Sequence, residues 1–388
     1  MSRSHARLFW PLIEAPVVPM KTILFVINSL GGGGAERLLQ TLAVELTKRG
    51  FGVKILTLEN PKIAYSLPAR VQVTPLWTRF LNFGPLKLLA LPLIALELRW
   101  RLSQIKPDAW MSLLYRANFA AALAKLLGYK GRLVVSDHVD VFACYPGGAG
   151  TDWLMRILVR ELYKLADVVL AVSQGVADGL QRLSIPASQT RTILNAVDVE
   201  SIQREAKRAP SQAHTFVTVG RLCYQKDHLG LLQAFKKVHS DSPGARLIIV
   251  GEGPDRQELQ SRLRVLGLES SVRLAGWRER PYELIAGAKA FVLSSRFEGF
   301  GLVLVEAMAA GLPVISTNCP SGPSEILGHG KYGIMVPTAD SDALADAMLL
   351  LLNDDERCEQ LKQKGLKRCQ DFDVAKICDE YLELLLQQ

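Results

Sequence analysis

At 388 residues, with 49% hydrophobic and 22% charged side chains, the chain is too long for one core and too apolar for disorder, so two globular domains are expected. The net charge of +8 is lopsided: residues 1–200 carry 23 Lys+Arg against 14 Asp+Glu, and residues 201–388 carry 23 against 24. A basic first half suits an anionic surface or ligand; no helix-turn-helix, zinc or RNA-recognition signature accompanies it, so nucleic acid is set aside for an anionic membrane surface. The six cysteines form no C-x-x-C pair and the six histidines no cluster, which predicts reduced thiols in a cytoplasmic protein and no metal site.

Residues 1–19 hold Arg3 and Arg7 but only the short apolar run Leu8–Ile13, interrupted by Pro11. This is a poor signal peptide, and it reads as a leader or loose arm. The first domain is assigned to residues 20–198. Thr22–Ile27 is an apolar strand, Gly31–Gly34 a glycine turn, and a helix runs from there to Gly50, with a second strand at Phe51–Thr57. This βαβ unit places a binding site at the carboxyl end of its first strand, by the turn that holds Gly33 and Gly34. As a dinucleotide fingerprint it fails, because Glu36 stands where the third glycine belongs; Gly251-Glu252-Gly253 fails likewise at Arg256.

Arg79–Arg101 is the unusual segment. Phe80, Leu81, Phe83 and the run Leu88–Leu96 lie among Arg79, Lys87, Arg99, Trp100 and Arg101. The nine uncharged residues between Lys87 and Glu97 fall short of the roughly 20 that a bilayer span needs. Basic flanks and a tryptophan suit an interfacial helix; a core helix packed on the sheet is the other reading. Strands follow at Trp110–Leu114, Leu133–His138 and Asp167–Ser173, with a helix at Asn118–Leu127, a mobile loop at Gly147–Gly150 and a helix opening near Gln174. Val199–Gln212, polar and charged, is assigned as the linker.

The second domain is assigned to residues 199–370. Its strands are Thr215–Arg221, Arg246–Gly251 and Val272–Trp277, with helices opening after Asp255 and over Pro281–Ala288. Phe291–Leu327 then reads strand, turn, helix, strand. Phe291–Ser295 is apolar, Phe297–Gly301 is a tight turn, Leu302–Ala310 has helical spacing, Gly311-Leu312-Pro313 stops it, and Val314–Thr317 is the next strand. A glycine turn opening a helix offers free amides and the positive end of a dipole to an anion. Glu298 and Glu306 lie eight positions apart, about 12 Å if both were helical. That exceeds the roughly 5–9.5 Å of glycosidase carboxylate pairs and suits two hydroxyl-rich parts of one long ligand. A strand at Gly333–Pro337 and helices at Ser341–Asn353, Arg357–Cys369 and Val374–Leu385 close the chain.

Glu298-Gly299-Phe300-Gly301-Leu302 with Glu306, followed by Cys319-Pro320-Ser321-Gly322-Pro323-Ser324-Glu325, resembles the signature of the retaining nucleotide-sugar glycosyltransferases of family 4. The tail looks like that of members extending bacterial lipid-linked glycans or lipopolysaccharide. The resemblance covers Lys21 to the C-terminus. It implies an α/β chain of GT-B fold, two doubly wound Rossmann-like domains facing a cleft, with residues 371–388 crossing back as a helix onto the first domain. It implies transfer of a hexose or N-acetylhexosamine from a nucleoside-diphosphate sugar, a UDP-sugar, without cofactor or metal. It places His138 near the reacting sugar, Arg221 and Lys226 on the donor diphosphate, and Trp277 at the base. Glu298 and the Phe300-Gly301-Leu302 amides fall to sugar and phosphate, and Glu306 to the ribose. The same resemblance, taken with the basic apolar segment Arg79–Arg101, points to a lipid-linked or glycan acceptor and a peripheral position at the inner face of the cytoplasmic membrane. The alternatives are a glycan- or lipid-binding protein on an inactive transferase scaffold, and a polysaccharide synthase or phosphorylase-like enzyme.

Overall fold

A computed structural model describes residues 20–60, 62–81 and 86–387; the leader assigned to residues 1–19, and Phe83, lie outside these. The first sheet has seven strands: β1 (Thr22–Ile27), β2 (Gly52–Thr57), β3 (Gln72–Pro75), β4 (Ala109–Leu113), β5 (Leu133–Asp137), β6 (Val168–Ala171) and β7 (Thr190–Thr192), in the order β3-β2-β1-β4-β5-β6-β7. The second has six: β8 (Gln212–Val219), β9 (Arg246–Val250), β10 (Val272–Gly276), β11 (Ala288–Leu293), β12 (Val314–Thr317) and β13 (Ile334–Val336), in the order β10-β9-β8-β11-β12-β13. Every pairing is parallel. Parallel strands covered on both faces must be apolar throughout, which is why β1 and β11 read as near-continuous runs. Strand order reverses between β1 and β4 and between β8 and β11. At such switch points the loops leave the carboxyl ends in opposite directions and open a crevice. The Gly31–Gly34 turn follows β1, Arg221 follows β8, and Glu298 follows β11.

The last helix, Val374–Leu386, packs on the helix Gly34–Lys48 and on β4. Its Ile377, Cys378, Tyr381, Leu384 and Leu385 join the same core cluster as Ile23, Phe25 and Ile27 of β1. Val197 amide donates to the Phe372 carbonyl at 2.9 Å, and Val374 amide to the Val197 carbonyl at 2.9 Å, so the two crossings between lobes lie side by side.

Several segments differ from their sequence reading. Val199–Gln212, expected as a linker, is largely the helix Val199–Ala206; Asp198 accepts from the Ser201 amide at 3.0 Å, and Val199 and Ile202 are buried. Of Gly147–Gly150, Gly147 and Gly148 lie in a loop as expected, while Gly150 begins the helix Gly150–Tyr163; Asp152 in its first turn accepts from the Gly147 amide at 2.9 Å. The helix over Pro281–Ala288 is a single turn, Tyr282–Ile285, because Ala288 already begins β11.

The Arg79–Arg101 segment has two faces. In the helix Leu91–Ile105, Leu91, Ile94, Ala95, Leu98 and Leu102 are buried, whereas Leu93, Leu96 and Trp100 are about half exposed and Leu89 just before it is 75% exposed. Glu97 is buried and accepts from the Trp77 and Thr78 amides at 2.7 and 2.9 Å, which ties the turn Trp77–Leu81 to this helix. Trp77 and Phe80 are exposed there beside Arg79. No helix among the described residues is long and apolar enough to cross a membrane.

Candidate active site

The carboxyl ends of the two sheets meet. From the first lobe come the glycine turn and the loop after β5; from the second come the loops after β8, β10 and β11. Gly33 caps the helix Gly34–Lys48 with extended backbone and no side-chain cap. Glu36, nearly buried, folds back over Gly33. Burial raises its pKa, opposed by its own amide, by the positive charge of Arg221 and by the Gly33 amide. Arg221, an exposed residue of the second lobe, is thus close enough to act electrostatically on the first lobe's glycine turn.

Lys226 and Glu298 form one unit. Lys226 Nζ donates to Glu298 Oε1 at 2.5 Å, Ser295 Oγ donates to the same oxygen at 2.6 Å, and the two side chains are 15% and 7% exposed. The helical-spacing argument for Glu298 and Glu306 does not apply, because the helix begins only at Leu302. Gly301 precedes it in the left-handed region (φ 96°), where a side chain would be strained, so the amides at the helix start can face the crevice. Phe300 is buried with its ring 5.7 Å from that of Phe372, and Leu302 is buried as well, so these two contribute backbone. Gly299 lies against the His138 carbonyl so closely that a Cβ would sit 1.8 Å from it, and Ser173 Oγ donates to the Gly299 carbonyl at 2.6 Å. The lobes therefore touch at the signature turn itself.

His138 Nε2 lies 3.0 Å from Ser136 Oγ. Burial pushes the imidazole pKa down to about 4, so the ring is neutral at pH 7 and acts through hydrogen bonds. Between the unfolded value of about 6.5 and about 4, the unfolded chain takes up a proton that the folded chain refuses. The His138 contribution to stability is therefore full above that window and is lost as pH falls through it. His228, pushed to about 3 by burial and by the Lys226 charge, acts in the same sense. Buried Asp137, raised to about 7, acts in the opposite one. We expect His138→Gln to be less acid-sensitive than wild type, the gap in unfolding free energy changing by on the order of 2 kcal/mol between pH 7 and pH 4. Urea titrations at several pH values read this directly; parallel curves would show that His138 is not the group responsible.

Trp277, 42% exposed at the end of β10, reaches the first lobe: its ring centroid is 6.1 Å from that of Tyr65, and its indole nitrogen borders Gly32. Glu306 accepts from both lobes: Arg37 Nε of the first lobe donates to its Oε1 at 3.3 Å, and the Tyr282 hydroxyl of its own lobe at 2.7 Å. A small cavity of about 30 Å³ between the lobes is walled in part by Arg37, Tyr282, Leu302 and Glu306. At the other side of the contact, Glu325 accepts from the Gln174 and Gly175 amides at 2.9 and 3.0 Å. A carboxylate of one lobe thereby caps a helix N-terminus of the other. Among the described residues no three His, Cys, Asp or Glu side chains gather as a metal-binding group.

Of the residues chosen from sequence, Gly33, Gly34, Arg221, Lys226, Glu298, Gly301, Glu306, Trp277 and the His138 backbone come together along this crevice. The sequence reading gave no site role to Glu36, Arg37, Tyr65, Tyr282 or Glu325. Glu36 and Arg37 had a signal, since they follow the glycine turn directly in the first turn of its helix.

Two family models divide the chain: residues 32–201 match Glycosyltransferase Family 4, and residues 199–368 match Glycosyl transferases group 1. A Campylobacter jejuni relative, N-acetylgalactosamine-N,N'-diacetylbacillosaminyl-diphospho-undecaprenol 4-alpha-N-acetylgalactosaminyltransferase, is 32% identical over 370 residues, which span 95% of this chain and 100% of the relative. The chain belongs to glycosyltransferase family 4. It is a glycosyltransferase of GT-B architecture, similar also to the lipopolysaccharide core biosynthesis glycosyltransferase LpsE of Rhizobium meliloti, at 26% identity over 91% of this chain and 96% of that one. Among solved structures, Anabaena HepE in complex with UDP and glucose has the same fold, with a TM-score of 0.75 and 23% identity over 94% of this chain and 99% of that one. Sucrose-phosphate synthase from Thermosynechococcus elongatus gives a TM-score of 0.78 at 20% identity, covering 94% of this chain and 98% of that one.

Proposed function

We propose that this glycosyltransferase moves a hexose or N-acetylhexosamine from a UDP-sugar to a lipid-linked glycan or lipopolysaccharide acceptor, with retention at the anomeric carbon. The observation that carries the reading is the meeting, at the switch points of both sheets, of the Lys226–Glu298 pair, the Gly301 helix start and Glu306, with Arg221 acting electrostatically on Glu36 across the lobes. A departing nucleoside diphosphate gains negative charge as the glycosidic bond breaks. Arg221, Lys226 and the amides at Leu302 are donors set to receive it in a crevice that lobe closure keeps dry. The ribose falls to Glu306 and the base to the neighbourhood of Trp277. His138, neutral, is a hydrogen-bonding partner of the transferred sugar. Retention is read as attack on the face that the pyrophosphate leaves, with the departing phosphate taking the acceptor proton. The Campylobacter and Rhizobium relatives support the acceptor class through what their names say of them, and HepE, solved with UDP and glucose, supports the donor class.

The membrane reading rests on Leu89, Leu93, Leu96 and Trp100 standing outward with Arg99, next to Trp77, Arg79 and Phe80. Such a face suits the headgroup boundary of an anionic bilayer, at the inner surface of the cytoplasmic membrane, where a lipid-linked acceptor would be presented. A UDP-sugar panel incubated with polyprenyl-linked glycans and followed by mass spectrometry tests the reaction. A mass gain of one hexose or N-acetylhexosamine with release of UDP is expected, and absence of product and of UDP release across the panel would refute it. Flotation with phosphatidylglycerol vesicles tests the surface. Wild type should float, and Leu93→Ser/Leu96→Ser/Trp100→Ser should remain at the bottom; wild type failing to float would remove the membrane from the proposal.

A further inference from the structure

Glu306 sits at the centre of a buried polar group drawn from both lobes. Arg37, on the first lobe's helix, is buried; its Nε donates to Glu306 Oε1 and its Nη2 donates to the Tyr282 hydroxyl at 2.5 Å. The Tyr282 hydroxyl in turn donates to the same Oε1. Tyr65 stacks over the guanidinium at 5.0 Å from its ring centroid and donates its own hydroxyl to the Gly32 carbonyl at 3.0 Å, so Arg37 is fixed to the glycine turn as well. Both bonds to the carboxylate fall on Oε1; Oε2 accepts none among the described residues.

Two groups on one oxygen leave the carboxylate a single orientation, with the other oxygen facing away from them. A buried carboxylate without them would be free to rotate and costly to keep charged. Burial works against the Arg37 charge, but Glu306 and Tyr282 outweigh it and hold its pKa above the ordinary arginine value, so the guanidinium stays charged. Burial raises the Tyr282 pKa well above the usual tyrosine value, and the Glu306 charge raises it further. The phenol therefore remains a donor at any working pH.

We propose that Arg37 and Tyr282 are positioning residues that fix Glu306 so that its Oε2 accepts from the ribose hydroxyls of the donor nucleotide. This rests on the ribose role given to Glu306 above and adds that the first lobe supplies part of nucleotide recognition. Because Arg37 and Glu306 come from different lobes, the carboxylate is oriented only when the lobes are together.

The test is the affinity ratio between UDP and 2′,3′-dideoxy-UDP, measured by calorimetry on the full chain, with GDP and 2′,3′-dideoxy-GDP as a second pair. Hydrogen bonds to a charged acceptor predict a wild-type preference for the hydroxylated nucleotide of about 10- to 100-fold. Arg37→Ala should shrink that ratio to within about threefold, with UDP affinity falling towards that of the dideoxy compound; Tyr282→Phe should do so in part. Arg37→Lys, which keeps the charge and loses the two-armed geometry, should restore some of the ratio. A merely structural role would lower both affinities equally and leave the ratio standing, and that result overturns the inference. If Glu306→Gln loses the preference while Arg37→Ala and Tyr282→Phe keep it, the ribose reading survives and this one falls. If wild type shows no preference with either base, both fall.

Discussion

Arg221→Ala should lower kcat/KM by about 10²–10³-fold, or roughly 2.7–4 kcal/mol of transition-state stabilisation, the scale of losing one donor aimed at developing negative charge. The size follows from timing. The pyrophosphate carries more charge in the transition state than in the bound donor, so a cation beside it acts mainly on kcat. Arg221 is exposed, so the unfolding free energy of the variant should stay within about 0.5 kcal/mol of wild type. Arg221→Lys should recover only part of the loss, because an ammonium lacks the planar fork that takes two phosphate oxygens at once. Turnover at the wild-type rate in Arg221→Ala would end the role assigned to it.

Glu298→Ala should be the most destabilising change in the crevice. It leaves the Lys226 ammonium, 15% exposed, without its carboxylate, and removing one member of a buried ion pair costs about 3–5 kcal/mol. The same ammonium is proposed to meet the donor's phosphates. At the same UDP concentration the variant should therefore be stabilised by more than wild type is, because phosphates that supply the missing counter-charge tighten its Kd; at one hundred times Kd the gain is roughly 2.7 kcal/mol. Lys226→Met combined with Glu298→Ala should recover much of the lost stability while remaining inactive, since neither charge is then left unpaired. Urea unfolding with and without UDP provides the measurement. A Glu298→Ala variant as stable as wild type would mean that the pair is a surface decoration.

The legible parts of this chain were those in which one short stretch carries its own geometry. β11, the turn Phe297–Gly301, the helix Leu302–Ala309 and β12 follow one another in sequence and in space, so apolar runs and glycines suffice to find them. The glycine turn after β1 is local in the same way. What stayed hidden depends on distant pairings. The partners of Glu306 are 269 and 24 residues away in the chain, and no periodicity announces such contacts. β3 and β7 were missed because they are short edge strands in which only Thr190 is buried, lacking the apolar run that marks a covered strand. The Val199–Ala206 helix looked like a linker because only Val199 and Ile202 of it are buried.

The closing helix carries a consequence for biosynthesis. Val374–Leu386 completes the hydrophobic core behind β1, yet residues 193–373 emerge from the ribosome between that sheet's last strand and this helix. At about 5–20 residues per second, translation leaves the first-made lobe unfinished for on the order of 10–40 s. During that interval the apolar face around Ile23, Phe25 and Leu42 lacks its cover, and a nascent chain stalled before Val374 should be the species that holdase chaperones retain.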